Sequence, residues 1–296
     1  MITISYYHYW KDSDTDNYFT EFIKKNIGDV KIVANTSNPD ILISSCWGDI
    51  KEVKELKAKC KIFFYGENLE RFPKFNDENV LYDVFDLIVG FKETDISLKQ
   101  VRFPLWLMYY SYYNYDEKDN ILSYIQKRYN ENIKKHKEFF CTIVARHDWY
   151  GQRTKIYDVV CKYGDIYSPS TYRNNTKSIG KGHKEKIDYI SRGIYNICPE
   201  NSCYDNYFTE KIFQAFEAGT IPIYWATDLP EVEIINRNKY CFCDLNNREE
   251  LEKSIVNVTK NPNQYIEGDL FTKNAGEKID EYYSTLKRNI IMHIDK

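Results

Sequence analysis

One stretch of the chain combines residue types that suit a phosphorylated ligand. Residues 195–202 read Tyr-Asn-Ile-Cys-Pro-Glu-Asn-Ser, residues 207–211 read Tyr-Phe-Thr-Glu-Lys, and residues 220–225 read Thr-Ile-Pro-Ile-Tyr-Trp. This order of apolar and polar residues predicts a buried strand, a polar loop, a helix and a return strand. Thr209 is expected to cap the helix, and Gly219 is expected to end it in a left-handed conformation.

Lys211 falls in the first turn of this predicted helix, where a cation opposes the helix dipole. A bound anion would neutralise both, and the free N–H groups beside Thr209 would suit a pyrophosphate. Glu200 and Glu210 could accept hydrogen bonds from the hydroxyls of a ribose or another sugar. The alternative is a surface loop with a Thr–Glu cap and a solvated lysine, and the spacing alone leaves both interpretations open.

Two further residues stand where apolar strands give way to loops. Glu67 follows the apolar run at 63–65 and Gly66. A lone carboxylate in such a place can act as a general base on a sugar hydroxyl, and the alternative is an ordinary turn acid. Arg153 lies near a predicted helix start, and arginine suits bidentate contacts with phosphate.

Alternating strands and helices must position these residues. The first part of the chain predicts strands at 2–7, 30–34, 41–46, 61–65 and 87–91 and helices at 18–25 and 50–59. The second part predicts strands at 138–145, 193–198, 220–225 and 240–244 and helices at 154–162, 208–218, 248–259 and 275–293. Such alternation indicates parallel sheets covered by helices, with ligands beyond the carboxyl ends of the strands. The loops after Tyr65, Ala145 and Cys198 are therefore the ones to examine.

The predicted fold class is α/β, with two Rossmann-like β/α/β domains that face a cleft. A chain of 296 residues suits two domains of ordinary size. The expected division is a first domain at 1–136 that includes a polar linker helix, a second domain at 137–270, and a C-terminal helix at 271–296.

Composition narrows the class of partners. The formal net charge of −3 gives no general attraction to nucleic acid or membranes. The eight cysteines form no CxxC pair and no zinc-ligand spacing, which favours reduced, buried thiols and a cytoplasmic location. No signal peptide and no run of about 18 apolar residues is found. Residues 12–16 (Asp-Ser-Asp-Thr-Asp) lack the Gly and the closing Glu of a calcium loop.

Taken together, these segments resemble the α-1,3-fucosyltransferase family, and its bacterial members best. The donor-binding signature of that family is similar to residues 195–202, 207–211 and 220–225. Weaker similarity extends to residues 65–68, 88–91 and 102–104 and to the region of Arg153. The resemblance covers most of residues 1 to 260.

The resemblance implies a GT-B fold in which the second domain binds GDP-fucose, the acceptor faces the first domain, and the anomeric carbon is inverted without a covalent intermediate. The resemblance implies roles for seven residues. They are Glu67 as the general base, Arg153 and Lys211 on the pyrophosphate, Tyr207 and Glu210 on the nucleotide, and Glu200 with Asn201 near the transferred sugar. The helix start at Thr209 is expected to join the two cations on the pyrophosphate. The resemblance also implies GDP-fucose as the donor substrate and an N-acetyllactosamine-type acceptor. Because a fixed cationic site can replace a divalent ion and the sequence has no metal-ligand cluster, no cofactor is expected.

The chain departs from the family pattern at two positions. Pro199 replaces the usual Phe before Glu200, and Ala226 stands where a Gly often follows the strand. Either departure can reshape the fucose pocket, which keeps a different nucleotide sugar open as the donor. A non-catalytic module that binds glycans or nucleotides is a further alternative. Lys287 and Arg288 on the amphipathic tail leave weak peripheral membrane contact open.

Overall fold

A computed structural model describes residues 1–9, 18–113 and 120–295. Residues 12–16, considered above as an acidic loop, lie outside this part. The chain divides into two compact units, one formed by Met1–Tyr112 with Glu277–Lys296 and the other by Tyr113–Gly276. None of the helices in the described ranges is long and apolar enough to span a membrane.

The described residues form strands and α-helices in alternation. The strands are β1 (Ile2–Tyr7), β2 (Val30–Ile32), β3 (Ile41–Ser45), β4 (Cys60–Phe64), β5 (Leu87–Gly90), β6 (Gln100–Arg102), β7 (Phe139–Ile143), β8 (Ile166–Tyr167), β9 (Gly193–Ile197), β10 (Ile221–Tyr224) and β11 (Cys241–Phe242). The helices are α1 (Tyr18–Asn26), α2 (Ile50–Glu55), α3 (Glu78–Val84), α4 (Leu105–Tyr113), α5 (Ile121–Asn132), α6 (Gln152–Val160), α7 (His183–Ile190), α8 (Glu210–Glu217), α9 (Arg248–Lys260), α10 (Asn263–Ile266) and α11 (Ala275–Ile294).

The first unit contains a six-stranded sheet in the order β2-β1-β3-β4-β5-β6, and every neighbouring pair is parallel. Strands β3 and β5 are buried along their whole length, as expected for central strands that have helices on both faces. Aromatic rings fill much of this core. The ring of Phe63 packs on those of Phe75 and Phe85 at centroid distances of 5.2 and 5.0 Å.

Glu67 follows a strand end that close packing fixes. Tyr65 directly after β4 is buried, and its hydroxyl accepts a hydrogen bond from the backbone N–H of Lys92 at 3.1 Å. Its ring lies over Gly90, where an added Cβ would come within 2.2 Å of the ring. Only glycine allows this close approach. The packing of Tyr65 on Gly90 therefore fixes the end of β4 against β5, and with it the start of the loop that carries Glu67.

The second unit contains a five-stranded parallel sheet in the order β11-β10-β9-β7-β8. Its core is formed by the strands and by apolar residues of α6 and α9, among them Ile156, Val160 and Ile255. The two parallel sheets with flanking helices confirm the predicted α/β class.

The division into units differs from the boundaries expected at 136 and 270. Helix α5 belongs to the second unit, because Asn132 Nδ2 donates to the carbonyl of Glu217 in α8 at 2.7 Å. Most of α11 belongs to the first unit, where the Tyr282 hydroxyl accepts from Arg102 Nε at 3.2 Å. Contacts between elements distant in sequence therefore decide the assignment of both helices.

Candidate functional site

The polar segments singled out in the second half of the chain meet at one edge of the second sheet. Strands β10, β9 and β7 are neighbours, and their carboxyl ends lead into residues 225–228, 198–209 and 144–151. The carboxyl edge of a parallel sheet is the usual location of a ligand site in such folds. The return strand β10 and the helix α8 are both present as the sequence predicted.

A buried carboxylate organises this edge. Glu200 has none of its surface exposed. One carboxylate oxygen accepts hydrogen bonds from the backbone N–H of Thr209 at 2.8 Å and from the hydroxyl of Tyr224 at 2.9 Å. The other accepts from the Thr209 hydroxyl and from Lys211 Nζ, both at 2.8 Å. Four donors from three segments therefore converge on one side chain.

Thr209 precedes α8 as predicted, but its side chain does not cap the helix. Its hydroxyl donates to Glu200 and accepts from Lys211 Nζ at 2.7 Å. Its backbone N–H also donates to Glu200. The expectation that the Thr209 side chain caps the helix was wrong, because its hydroxyl donates to a carboxylate of the chain itself. Gly219 has φ +64°, which confirms the predicted left-handed end of α8.

Lys211 is the cation that the sequence placed in the first turn of α8. Its side chain is 15% exposed, which contradicts the alternative of a solvated surface lysine. Burial opposes its charge, but the carboxylates of Glu200 and Glu210 raise the pKa of Lys211 above the ordinary value. The ammonium is therefore held charged in a protected place.

Arg153 is a second buried cation, 6% exposed, at the start of α6. Its Nη1 donates to the carbonyl of His147 at 2.7 Å, and its Nη2 donates to Asn201 Oδ1 at 2.7 Å. The carboxylate of Asp148 accepts from the backbone N–H groups of Arg153 and Thr154 at 3.0 and 2.8 Å. Asp148 thus holds the start of α6, and Asn201 holds the guanidinium beside the loop of Glu200. Burial lowers the pKa of Arg153 from its ordinary value.

Two more of the predicted residues flank these cations. Tyr207 is buried at 3% exposure. Glu210 is half-buried as the first residue of α8. Burial opposes ionisation of Glu210, yet Lys211 and Lys186 lower the pKa of its carboxyl below the ordinary value.

Helix α7 brings Lys186 to the same place, and no motif in the sequence indicated this residue. A cavity of about 30 Å³ is lined by Arg153, Lys186 and Lys211 together with Asn196, Cys198 and Pro199. The signal that could have identified α7 is the helical spacing of Ile187 and Ile190, both buried.

Glu67 lies in the first unit, and the other seven predicted site residues lie in the second. Its carboxylate accepts from Arg71 Nη1 at 3.3 Å, one helical turn further along the chain. The side chain of Glu67 is 21% exposed.

The arrangement in the second unit can hold an anion. Three cations, those of Arg153, Lys186 and Lys211, line one small cavity and face the two carboxylates of Glu200 and Glu210. Fixed cations shielded from water stabilise a negative charge much better than mobile surface cations do. In the described ranges, no group of three or more His, Cys, Asp and Glu side chains could hold a metal ion.

Similar solved structures have the GT-B fold. The chain matches crystal structures of alpha1,3-fucosyltransferase over 97% of its length and 90% of theirs, with TM-scores of 0.67 with GDP-fucose and 0.68 without, at 20% and 21% identity. It also matches Anabaena Alr3699/HepE in complex with UDP and glucose, with a TM-score of 0.51 at 9% identity, over 95% of this chain and 90% of that one. These likenesses confirm the GT-B fold.

The family is given by the sequence. A model of the alpha-(1,3)-fucosyltransferase FucT N-terminal domain matches residues 4–109, and one of the C-terminal part of glycosyltransferase family 10 (fucosyltransferase) matches residues 132–272. The chain therefore belongs to the fucosyltransferases of glycosyltransferase family 10. Over 256 residues it is 24% identical to alpha-(1,3)-fucosyltransferase FucT of Helicobacter pylori, which covers 76% of this chain. The aligned part spans about half the length of that relative.

Proposed function

We propose that the protein transfers L-fucose from GDP-fucose to a hydroxyl of an acceptor glycan, with inversion at the anomeric carbon and formation of an α-1,3 linkage. The observation that carries this proposal is the buried cluster of Arg153, Lys211 and Glu200 in a chain of the fucosyltransferase family. A family relative has been crystallised with GDP-fucose, which supports the choice of donor. An N-acetyllactosamine-type glycan is the proposed acceptor.

The leaving group is GDP, and negative charge develops on its diphosphate as the bond to fucose breaks. We assign Arg153 and Lys211 to this diphosphate because both are cationic and held in place by hydrogen bonds. Cations that are already oriented need no reorganisation when the charge appears, which makes such groups effective in catalysis. Tyr207 and Glu210 are assigned to the nucleotide.

Glu200 and Asn201 were expected near the transferred sugar. The contacts of Glu200 with Thr209, Tyr224 and Lys211 support a positioning role, since the carboxylate orients the ammonium that faces the diphosphate. Asn201 supports Arg153 in the same manner. In this proposal, Glu200 and Asn201 contribute to sugar transfer indirectly, because they orient the two cations that bind the diphosphate.

Glu67 is the proposed general base. In this mechanism, its carboxylate removes the proton of the acceptor hydroxyl as that oxygen attacks the anomeric carbon from the face opposite to GDP. Arg71 Nη1 lies 3.3 Å from this carboxylate and holds it in position.

The test is incubation with GDP-fucose and a glycan array, with GDP release and product linkage as readouts. We expect Glu67→Gln to reduce turnover by about 10²–10⁴ at saturating substrate, because general-base catalysis is worth that much. Glu70→Gln is the matched control, since Glu70 is exposed on the same loop. Near-normal turnover of Glu67→Gln would reject the assignment of the base.

A different nucleotide sugar is the second candidate for the donor. Pro199, which departs from the family pattern, lines the cavity between the cations, where it can alter the shape of the sugar pocket. Calorimetry with GDP and UDP distinguishes the candidates, because tighter binding of UDP rejects GDP-fucose. Binding of GDP-fucose without GDP release in the presence of any acceptor would instead indicate a non-catalytic module.

A further inference from the structure

The cavity lined by Arg153 and Lys211 has a third cation in its wall, carried by helix α7. The proposed mechanism does not use this cation. Lys186 is half-buried and lines the cavity beside Arg153 and Lys211. Its ammonium donates a hydrogen bond to Gln214 Oε1 at 2.5 Å. Gln214 is buried in α8, three residues after Lys211.

The partners of the two lysines differ in charge. Lys211 Nζ is 2.8 Å from a carboxylate oxygen of Glu200, so its charge is compensated within the protein. Lys186 has the neutral amide of Gln214 as its partner, and among the residues that the structure describes no Asp or Glu oxygen lies within 4.0 Å of its Nζ. Removing an ammonium from water without an adjacent anion is costly. Burial accordingly lowers the pKa of Lys186, against the opposing influence of the Glu210 carboxylate.

A chain of hydrogen bonds fixes the position of this ammonium. The ammonium can only donate, so it determines which end of the Gln214 amide faces it. The other end of the amide, Nε2, lies 3.3 Å from His183 Nδ1. His183 Nε2 lies 2.8 Å from Glu217 Oε2, and Glu217 Oε1 accepts from Tyr124 at 3.1 Å. Helices α5 and α8 thereby hold Lys186 at the cavity through Gln214.

We propose that Lys186 is a third cation that binds the diphosphate of the nucleotide donor, together with Arg153 and Lys211. This inference rests on the proposed function, since it requires a nucleotide diphosphate bound against the cations that line the cavity. A phosphate oxygen would supply the negative charge that Gln214 lacks. It would also bring Lys186 into direct contact with the group whose charge grows as the sugar departs.

The test compares the affinities for GDP, GMP and guanosine by calorimetry. For Lys186→Met we expect GDP to bind about 10- to 100-fold more weakly, since a lost hydrogen bond to a charged group has that effect, with guanosine affinity unchanged. Lys186→Arg should restore part of the GDP affinity. The matched control is Lys184→Met, because Lys184 is exposed on the same helix and pairs with Asp188.

Two outcomes would overturn the proposal. Wild-type affinity of Lys186→Met for GDP would show that the ammonium makes no contact with the diphosphate. Equal loss of GDP and guanosine affinity would show a structural role instead.

If Lys186→Met does not fold, amine acetylation of the wild-type protein decides the matter. GDP should protect Lys186 and leave Lys184 reactive, and unchanged labelling of Lys186 would contradict the proposal.

The failure of the proposed function has a different signature. If the wild-type protein binds UDP and not GDP, the fucose donor is rejected, and the same comparison with UDP, UMP and uridine decides the role of Lys186. If the wild-type protein binds none of these nucleotides, both proposals are rejected together.

Discussion

Glu200 shows how a single side chain can define the chemistry around it. A fully buried carboxylate is costly unless donors surround it, and here two hydroxyls, an ammonium and a backbone N–H do so. The same contacts keep Lys211 charged and oriented. The carboxylate therefore stabilises the local fold and prepares the cation that we assign to the diphosphate.

We expect Glu200→Gln to lower the free energy of unfolding by about 3–5 kcal/mol, since it leaves Lys211 buried without its counter-charge. The amide would also present a donor to groups that themselves donate. Urea unfolding of both proteins measures the change. Glu252→Gln is the control, because Glu252 pairs with Lys162 at 2.9 Å on the surface, where the loss should stay below about 1 kcal/mol. A loss of similar size for both variants would refute the organising role of Glu200.

At the scale of single residues, the sequence identifies Lys211 as unusual but does not identify Glu200 as its partner. The position of Lys211 in a first helical turn predicts a bound anion, and the structure places a carboxylate of the chain itself, that of Glu200, 2.8 Å from the ammonium. Spacing could not show this, because the loop of residues 201–208 folds the strand end back on the helix start. Lys186 lies 25 residues before Lys211 in the sequence, so their shared cavity arises only from the packing of α7 on α8.

Three helices of the second unit, α5, α7 and α8, are joined at their C-terminal ends by one lysine. Lys137 Nζ donates to the carbonyls of Asn132 at 3.1 Å, Ser191 at 2.9 Å and Gly219 at 2.7 Å. These carbonyls belong to the ends of α5, α7 and α8, the helices that surround Lys186 and Lys211. C-terminal helix ends carry partial negative charge, which favours a cation there. Lys137 thus holds in place both α7, which carries Lys186, and α8, which carries Lys211.

This contact predicts a distinctive dependence of stability on pH. Burial, with a smaller contribution from Lys135, lowers the pKa of Lys137 from 10.5 to about 8. Between these two values the unfolded chain binds a proton that the folded chain has released, so the contribution of this group to stability rises with pH. We expect the difference in unfolding free energy between wild type and Lys137→Met to grow across this window in urea titrations.

Lys134→Met controls for the loss of a lysine, because Lys134 is exposed on the same segment. A wild-type advantage over Lys137→Met that stays constant or falls across the window would contradict the prediction.

Element boundaries follow apolar patterns closely where strands are long and buried. Strands β1, β3, β4, β5 and β9 agree with the sequence to within one or two residues. The short strands β6 and β8 were missed because three and two residues give no detectable alternation. Helix α8 begins at Glu210 and not at 208 because Thr209 is extended, with its donors directed at Glu200.

The two units are built from the chain in different ways. The second unit is one continuous segment, whereas the first combines residues from both ends of the chain. Alternation of strands and helices predicts two sheets correctly, since each sheet uses consecutive segments. It cannot predict where a terminal helix packs, because an amphipathic helix fits any apolar surface. The C-terminal helix, expected at 271–296 as a separate piece, illustrates this, because residues 277–296 belong to the first unit.

Helix α11 completes the core of the first unit. The ring of Tyr283 packs against those of Phe22 and Phe103 at centroid distances of 6.0 and 5.4 Å, and its hydroxyl lies 2.7 Å from Ser111 Oγ. Leu286 is fully buried on the same helix. Removal of these side chains leaves apolar surface exposed and aromatic rings without neighbours, at about 2–5 kcal/mol for each large side chain.

A chain that ends at Gly276 should therefore lose stability in one unit only. We expect amide hydrogen exchange in β1 and β3–β5 to accelerate more than tenfold, because exchange of core strands follows the free energy of opening. Exchange in β7, β9 and β10 should stay within about twofold, since residues 113–276 form their own core. Full-length Arg288→Ala is the control, because Arg288 is exposed on α11. Equal acceleration in both sheets would mean that the two units unfold as one, and the division of the chain would then have no thermodynamic meaning.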